Sequence, residues 1–154
     1  MAKKSFVTFR LGQQKYGLEI DKVREINRYL ELTPVPDALD YICGLINLRG
    51  QIITVFDLCV RLGMSSSEIN DNTHNIILKT QNMDEQLDDS QSEGDIVGIL
   101  VYDIEDVTEV EESEIEAPPA NIGKVDGRFL TGILKTEKDL IALLSIDEIL
   151  KQNR

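Results

Sequence analysis

Apolar residues in this chain fall in short runs broken by glycine or charge, the pattern of strands rather than of long helices. Val7, Phe9 and Leu11 alternate with Phe6, Thr8 and Arg10, the period of a half-buried strand. Gly12-Gln13-Gln14-Lys15 turns the chain into a second strand, where Tyr16, Leu18 and Ile20 point one way. Asp21 is placed to cap a single turn through Val23, Glu25 and Ile26. Thr33-Pro34-Val35-Pro36 is extended, because each proline biases its predecessor away from the helical region. Asp37 to Ile42 has room for a short helix.

The most informative stretch runs from Cys43 to Leu62. Leu45-Ile46-Asn47-Leu48 and Ile52 to Phe56 are apolar runs joined by Arg49-Gly50-Gln51, which predicts a tight β-hairpin. Asp57 then stands as a helix N-cap and Gly63 as a stop, so a helix of barely two turns follows. Sliding the chain by 88 residues lays Cys43–Leu62 on Thr131–Leu150 without a gap. Gly44 meets Gly132, eight apolar positions match, and Asp57 meets Ser145, which forms an S-x-x-E capping box with Glu148. A weaker echo lies upstream: Tyr16–Ile20 with Val23 and Ile26 resembles Val97–Val101 with Ile104 and Val107. Two similar β units in tandem follow from this self-similarity.

Between the hairpins, Met64 to Asn72 is a polar loop and His74–Thr80 a strand, with His74 starting it at a sheet edge. Gln81 to Gly94 lacks core periodicity and reads as a mobile hairpin loop. Ile96–Tyr102 is a strand. Ile104, Val107 and Val110, spaced by three, predict a short helix or turn with acids on its outer face. Glu111 to Gly127 is a long irregular connection, and Phe129–Lys135 with Leu140–Leu144 forms the second hairpin, turning at Lys135-Thr136-Glu137-Lys138. The fold class is therefore mainly β, with short helices and two small barrels.

Charge narrows the function. The net charge is −12, and half of the 28 acids sit in two segments, Met83–Asp95 and Asp103–Glu116, that contain no Lys or Arg. Such segments repel a phosphate backbone, which argues against nucleic acid as a partner. No apolar run approaches the ~20 residues that span a bilayer. The N-terminal MAKKSFVTFRL lacks a signal-peptide apolar region, so the cytoplasm is the expected compartment. Cys43 and Cys59 lie among core residues and read as reduced thiols, and with His74 the only histidine no metal site of the usual His/Cys kind is expected. The chain has no G-x-S-x-G, P-loop or dinucleotide fingerprint, and its carboxylate pairs are most simply solvated, so a binding module is expected and not an enzyme.

Gly44-Leu45-Ile46-Asn47-Leu48-Arg49-Gly50, followed by an apolar strand and Asp57-Leu58, resembles the signature of the CheW family of bacterial chemotaxis coupling proteins. The flanks agree in order: YGLEIDKVREI, the T-P-V-P stretch, VGILV and the closing LLSIDEIL. The resemblance covers roughly Ser5 to Lys151. It implies two tandem five-stranded SH3-like β-barrels, approximately 14–66 and 73–145, with a third apolar core between them and a C-terminal helix at 146–152. It further implies a non-enzymatic adaptor without cofactors, recruited from the cytoplasm to membrane-associated receptor arrays. Its partners would be the cytoplasmic tip of a chemoreceptor (a methyl-accepting chemotaxis protein) and the regulatory domain of the histidine kinase CheA.

Carried over position by position, the receptor groove between the barrels takes Ile20, Val23, Ile26 and Ile104. Glu25 and Arg49 match a charged pair that shapes the receptor-binding surface, and Asn47 matches a turn-organising position. Kinase docking in the family joins barrel to barrel, and no residue of this chain is assigned to it. Three departures stand out: Thr54 and Leu39 where the family often has proline, and Tyr102 where it has aspartate, with Asp103 displaced by one. Tyr102 is expected near the groove, where it bears on partner choice. A scaffold of a non-flagellar chemosensory pathway and a small β-barrel ligand-binding protein stay open as alternatives.

Overall fold

Twelve strands and two short helices account for most of the computed structural model, which describes residues 2–28, 31–65, 69–79 and 96–151. The strands are β1 (Lys3–Leu11), β2 (Gln14–Glu19), β3 (Val23–Arg28), β4 (Ile42–Leu48), β5 (Gln51–Asp57), β6 (His74–Leu78), β7 (Val97–Val101), β8 (Ile104–Glu111), β9 (Asn121–Ile122), β10 (Val125–Asp126), β11 (Leu130–Lys135) and β12 (Leu140–Leu144). The helices are α1 (Leu58–Arg61) and α2 (Ile146–Leu150). The predicted segment 81–94, with its acidic run, lies outside the described residues, as does 152.

Ten strands make two five-stranded sheets of one design. One has the order β11-β12-β2-β1-β8, and the other, read in the matching direction, β4-β5-β7-β6-β3. Each contains one parallel pair, β12 with β2 and β5 with β7. An isolated bridge joins the chain beyond each last strand to the sheet's first strand: Thr33 to Leu45, and Glu116 to Ile133. Both sheets are thereby drawn towards barrels. The expected division at 14–66 and 73–145 does not follow the sheets. β2 joins β11 and β12, whereas β6 and β7 join β3 to β5, because each hairpin completes its sheet with strands from the other half of the chain.

The largest apolar cluster runs through both sheets, from Val7, Phe9 and Leu11 to Ile53, Ile76, Ile99 and Ile149. A smaller one, Phe6, Val110, Leu134, Ile141 and Leu143, fills one barrel. β1 therefore buries both faces, Phe6 to one cluster and Val7, Phe9 and Leu11 to the other, and is not the half-buried strand that alternation predicted.

Local signals resolve as follows. Asp57 caps α1, its Oδ1 accepting from the Cys59 amide at 3.0 Å. Gly63, at φ 94°, ends it with the Gly63 amide on the Val60 carbonyl and the Met64 amide on the Cys59 carbonyl. Ser145 caps α2 through the Glu148 amide at 3.3 Å, but the Glu148 carboxylate turns to Lys151 Nζ, so only half of the expected box forms. Asp37–Ile42 is not helical: Asp37 takes φ 61° and the stretch is a pair of turns. His74 starts β6, but β6 lies between β3 and β7 rather than at an edge. The connection 111–127 holds a 3₁₀ turn at Glu112–Glu114 and the small hairpin β9–β10.

The predicted turns at Val23–Ile26 and Ile104–Val110 are strands, each with a β-bulge. On β3 the register passes from Val23↔Leu78 to Glu25↔Ile77, leaving Arg24 extra. On β8 it passes from Ile104↔Phe9 to Val107↔Val7, placing Glu105 and Asp106 opposite Thr8. One extra residue stretches the strand spacing of two to three, which imitates a helical turn in sequence. The Thr8 hydroxyl, fully buried, donates to the Asp106 carbonyl at 2.7 Å and so satisfies the β8 bulge.

Candidate functional site

The β4–β5 hairpin turns on two residues, with Leu48 paired to Gln51 across it. Arg49 at φ 51° and Gly50 at φ 86° give the primed turn whose twist matches the flanking strands. Asn47 organises it, its Oδ1 accepting from the Gly50 amide at 3.0 Å. In the second hairpin the equivalent residues, Glu137 and Lys138, have no positive φ. An arginine in the left-handed region costs about 1–2 kcal/mol over glycine. The arginine is therefore held here against a backbone preference.

It reaches β3. Arg49 Nη2 donates to Glu25 Oε2 at 2.5 Å, and Glu25 Oε1 accepts from Asn27 Nδ2 at 3.3 Å. Beside them Arg24 Nη2 donates to Gln51 Oε1 at 3.3 Å. β3 and β4 are the outer strands of their sheet, so these links tie one end of the sheet to the hairpin at the other. Partial burial pushes the Glu25 pKa up, but the Arg49 and Asn27 hydrogen bonds and the nearby arginine charges outweigh it, leaving the carboxyl below its usual range. The Arg49 side chain stays 66% exposed and Glu25 24%. An ion pair that open adds little stability; it orients a guanidinium towards solvent.

The apolar candidates lie on or next to the outer strands β3 and β8. Ile26 is 37% exposed on β3, and Ile20 and Val23 are half-buried against the main core. Glu25, Arg49 and Asn47 are thus brought together, with Ile26 beside them on β3. Ile104 is half-buried against the same core but belongs to the other sheet, at the start of its outer strand β8. By register Ile104 is the counterpart of Val23, and Val107, 56% exposed, the counterpart of Ile26.

Tyr102 is not at a partner surface. It is 5% exposed, its hydroxyl donates to Asp57 Oδ2 at 3.0 Å, and burial with the Asp57 charge pushes its pKa up. Its departure from the family pattern is absorbed inside the fold. Cys43 is half-buried, its pKa pushed up to about 12 chiefly by burial.

Arg61 escaped sequence reasoning. On α1 and 7% exposed, it donates to the Ile149, Glu148 and Lys151 carbonyls at 2.8, 3.0 and 2.6 Å, with its guanidinium over the Tyr41 and Phe129 rings. It caps the C-terminal end of α2 from across the molecule and joins the two units. Its partners are backbone carbonyls, which leave no mark on side-chain sequence.

No helix among the described residues is long and apolar enough to cross a membrane. The chain is 31% identical to the chemotaxis protein CheW of Rhizobium meliloti, over 95% of this chain and 86% of that protein. It is 31% identical to the chemotaxis protein CheW of Bacillus subtilis, over 94% and 85% respectively. The crystal structure of the scaffolding protein TtCheW from Thermoanaerobacter tengcongensis superposes with a TM-score of 0.82 at 29% identity, covering 99% of this chain and 91% of that one. The CheW-like domain family matches residues 5–154, which places the chain in the CheW family.

Proposed function

We propose that this protein is a non-enzymatic adaptor that couples the cytoplasmic tip of a chemoreceptor to the regulatory domain of the histidine kinase CheA within cytoplasmic arrays at the membrane. The observation that carries the reading is the Glu25–Arg49 corner: a primed turn holding an arginine at a backbone cost, its guanidinium fixed on a carboxylate and two-thirds exposed. A fold needing only a turn there has cheaper choices, as the second hairpin illustrates with Glu137-Lys138.

In this reading Ile20, Val23, Ile26 and Ile104 supply apolar anchors for one face of the receptor's helical tip, and Arg49 sets its orientation. The chain contributes contacts alone, with no cofactor and no chemistry of its own. The test is a pull-down of a receptor cytoplasmic fragment and a CheA regulatory domain with wild type, Val23→Asp and Arg49→Ala. Wild type should retain both partners. Folded variants should lose the receptor and keep the kinase; retention of the receptor by both would sink the site assignment.

A further inference from the structure

The register equates Arg24 with Glu105, 81 residues on, and Gln51 with Asp139, 88 residues on. In one sheet this pair closes the corner directly, Arg24 on Gln51. In the other both positions are acidic and cannot meet. Arg10, from β1, stands between them: Nε donates to Glu105 Oε2 at 3.2 Å, Nη2 to Asp139 Oδ1 at 2.9 Å and Nη1 to the Gln13 carbonyl at 3.3 Å. Lys15 Nζ holds the second Glu105 oxygen at 3.2 Å.

Arg10 also brackets the residue before Glu105. Its amide donates to the Asp103 carbonyl at 3.1 Å, and Asp103 takes φ 58°. Ile104 therefore sits between a backbone partner and a side-chain partner of one arginine, immediately before the bulge that frees β8 from regular register. The bulged outer strand is paired on one side only, so the Arg10 contacts add to the Phe9 pairing, the Thr8 hydroxyl and Lys15 in fixing its start.

We propose that Arg10 is a positioning residue for the receptor groove: its fork on Glu105 and Asp139 holds the start of β8 so that Ile104 stands where the receptor helix meets it. This rests on the receptor-binding reading above. Arg10 touches no receptor itself; it acts through Glu105.

The full chain is labelled at isoleucine methyl groups, with the Ile104 resonance assigned from Ile104→Val. Arg10→Met, Glu105→Gln and the double variant are compared, with Val23→Asp as the groove control. Affinities for a receptor cytoplasmic fragment and a CheA regulatory domain are measured on each. Arg10→Met should move the Ile104 methyl resonance and weaken receptor binding by roughly three- to tenfold, with kinase affinity unchanged. The double variant should lose less than the sum of the two single losses, since both substitutions break the Arg10–Glu105 link. An unmoved Ile104 methyl, strictly additive losses, or kinase affinity falling in parallel overturns the proposal. Wild type that binds no receptor overturns the functional reading and this inference together. Receptor binding that is sensitive to Val23→Asp but indifferent to Arg10→Met overturns this inference alone.

Discussion

Gly44 and Gly132 occupy one structural position 88 residues apart: a Cβ on either would stand 2.8 Å from a carbonyl oxygen, that of Thr33 in one sheet and of Glu116 in the other. Those carbonyls belong to the bridges that close the sheets, Thr33 to Leu45 and Glu116 to Ile133. The glycine match is thus a consequence of closure in both barrels. Gly132→Ala, which also drives a methyl to 2.6 Å from Ile115 Cγ2, should cost about 1–3 kcal/mol in urea unfolding. A neutral result would show that the bridges yield freely.

Arg49 should show a trade between stability and binding. Asn-Gly suits a primed two-residue turn better than Arg-Gly, and the exposed ion pair returns little. Arg49→Asn should therefore leave stability unchanged or raise it by up to ~1 kcal/mol while receptor binding falls. A clear loss of stability would mean that the pair serves the fold.

Arg61 is the opposite case. Three carbonyls at the end of α2 lose donors if it is replaced, and two rings lose the cation between them. Arg61→Met should destabilise the protein by about 2–5 kcal/mol, read as a lower urea midpoint. Arg61→Lys, one point charge replacing a fork, should fall between.

The acid limb of receptor binding should report Glu25. A carboxyl held below its usual range contributes above its unfolded pKa, and the contribution disappears as pH falls through the lower folded value. The binding advantage of wild type over Glu25→Gln should thus be constant through neutral pH and vanish only below the ordinary glutamate value of 4.5. An advantage that fades near pH 6 would contradict the pairing seen here.

What the sequence made legible was local: the two hairpins, the Asp57 cap, the Gly63 stop and the C-terminal helix all rest on neighbours in the chain. The bulges at Arg24 and at Glu105-Asp106 were not legible, because spacing three between Val23 and Ile26, or Ile104 and Val107, is shared by a helical turn and a bulged strand. Sheet membership was hidden too, since the parallel pairing of Ala142 with Tyr16 joins the ends of the chain. In the candidate site the Glu25–Arg49 pair was reached through family resemblance, and the structure adds its cause in the turn geometry. The roles of Arg10 and Arg61 depend on contacts 87 to 129 residues away, beyond any local pattern.

The most direct measurement is the affinity of the full chain for a receptor cytoplasmic fragment, wild type against Arg49→Ala, with CheA regulatory-domain affinity measured on the same samples. Wild type should bind both, and the variant, equally stable, should lose the receptor and keep the kinase. A variant that binds the receptor as wild type does would contradict the site assignment.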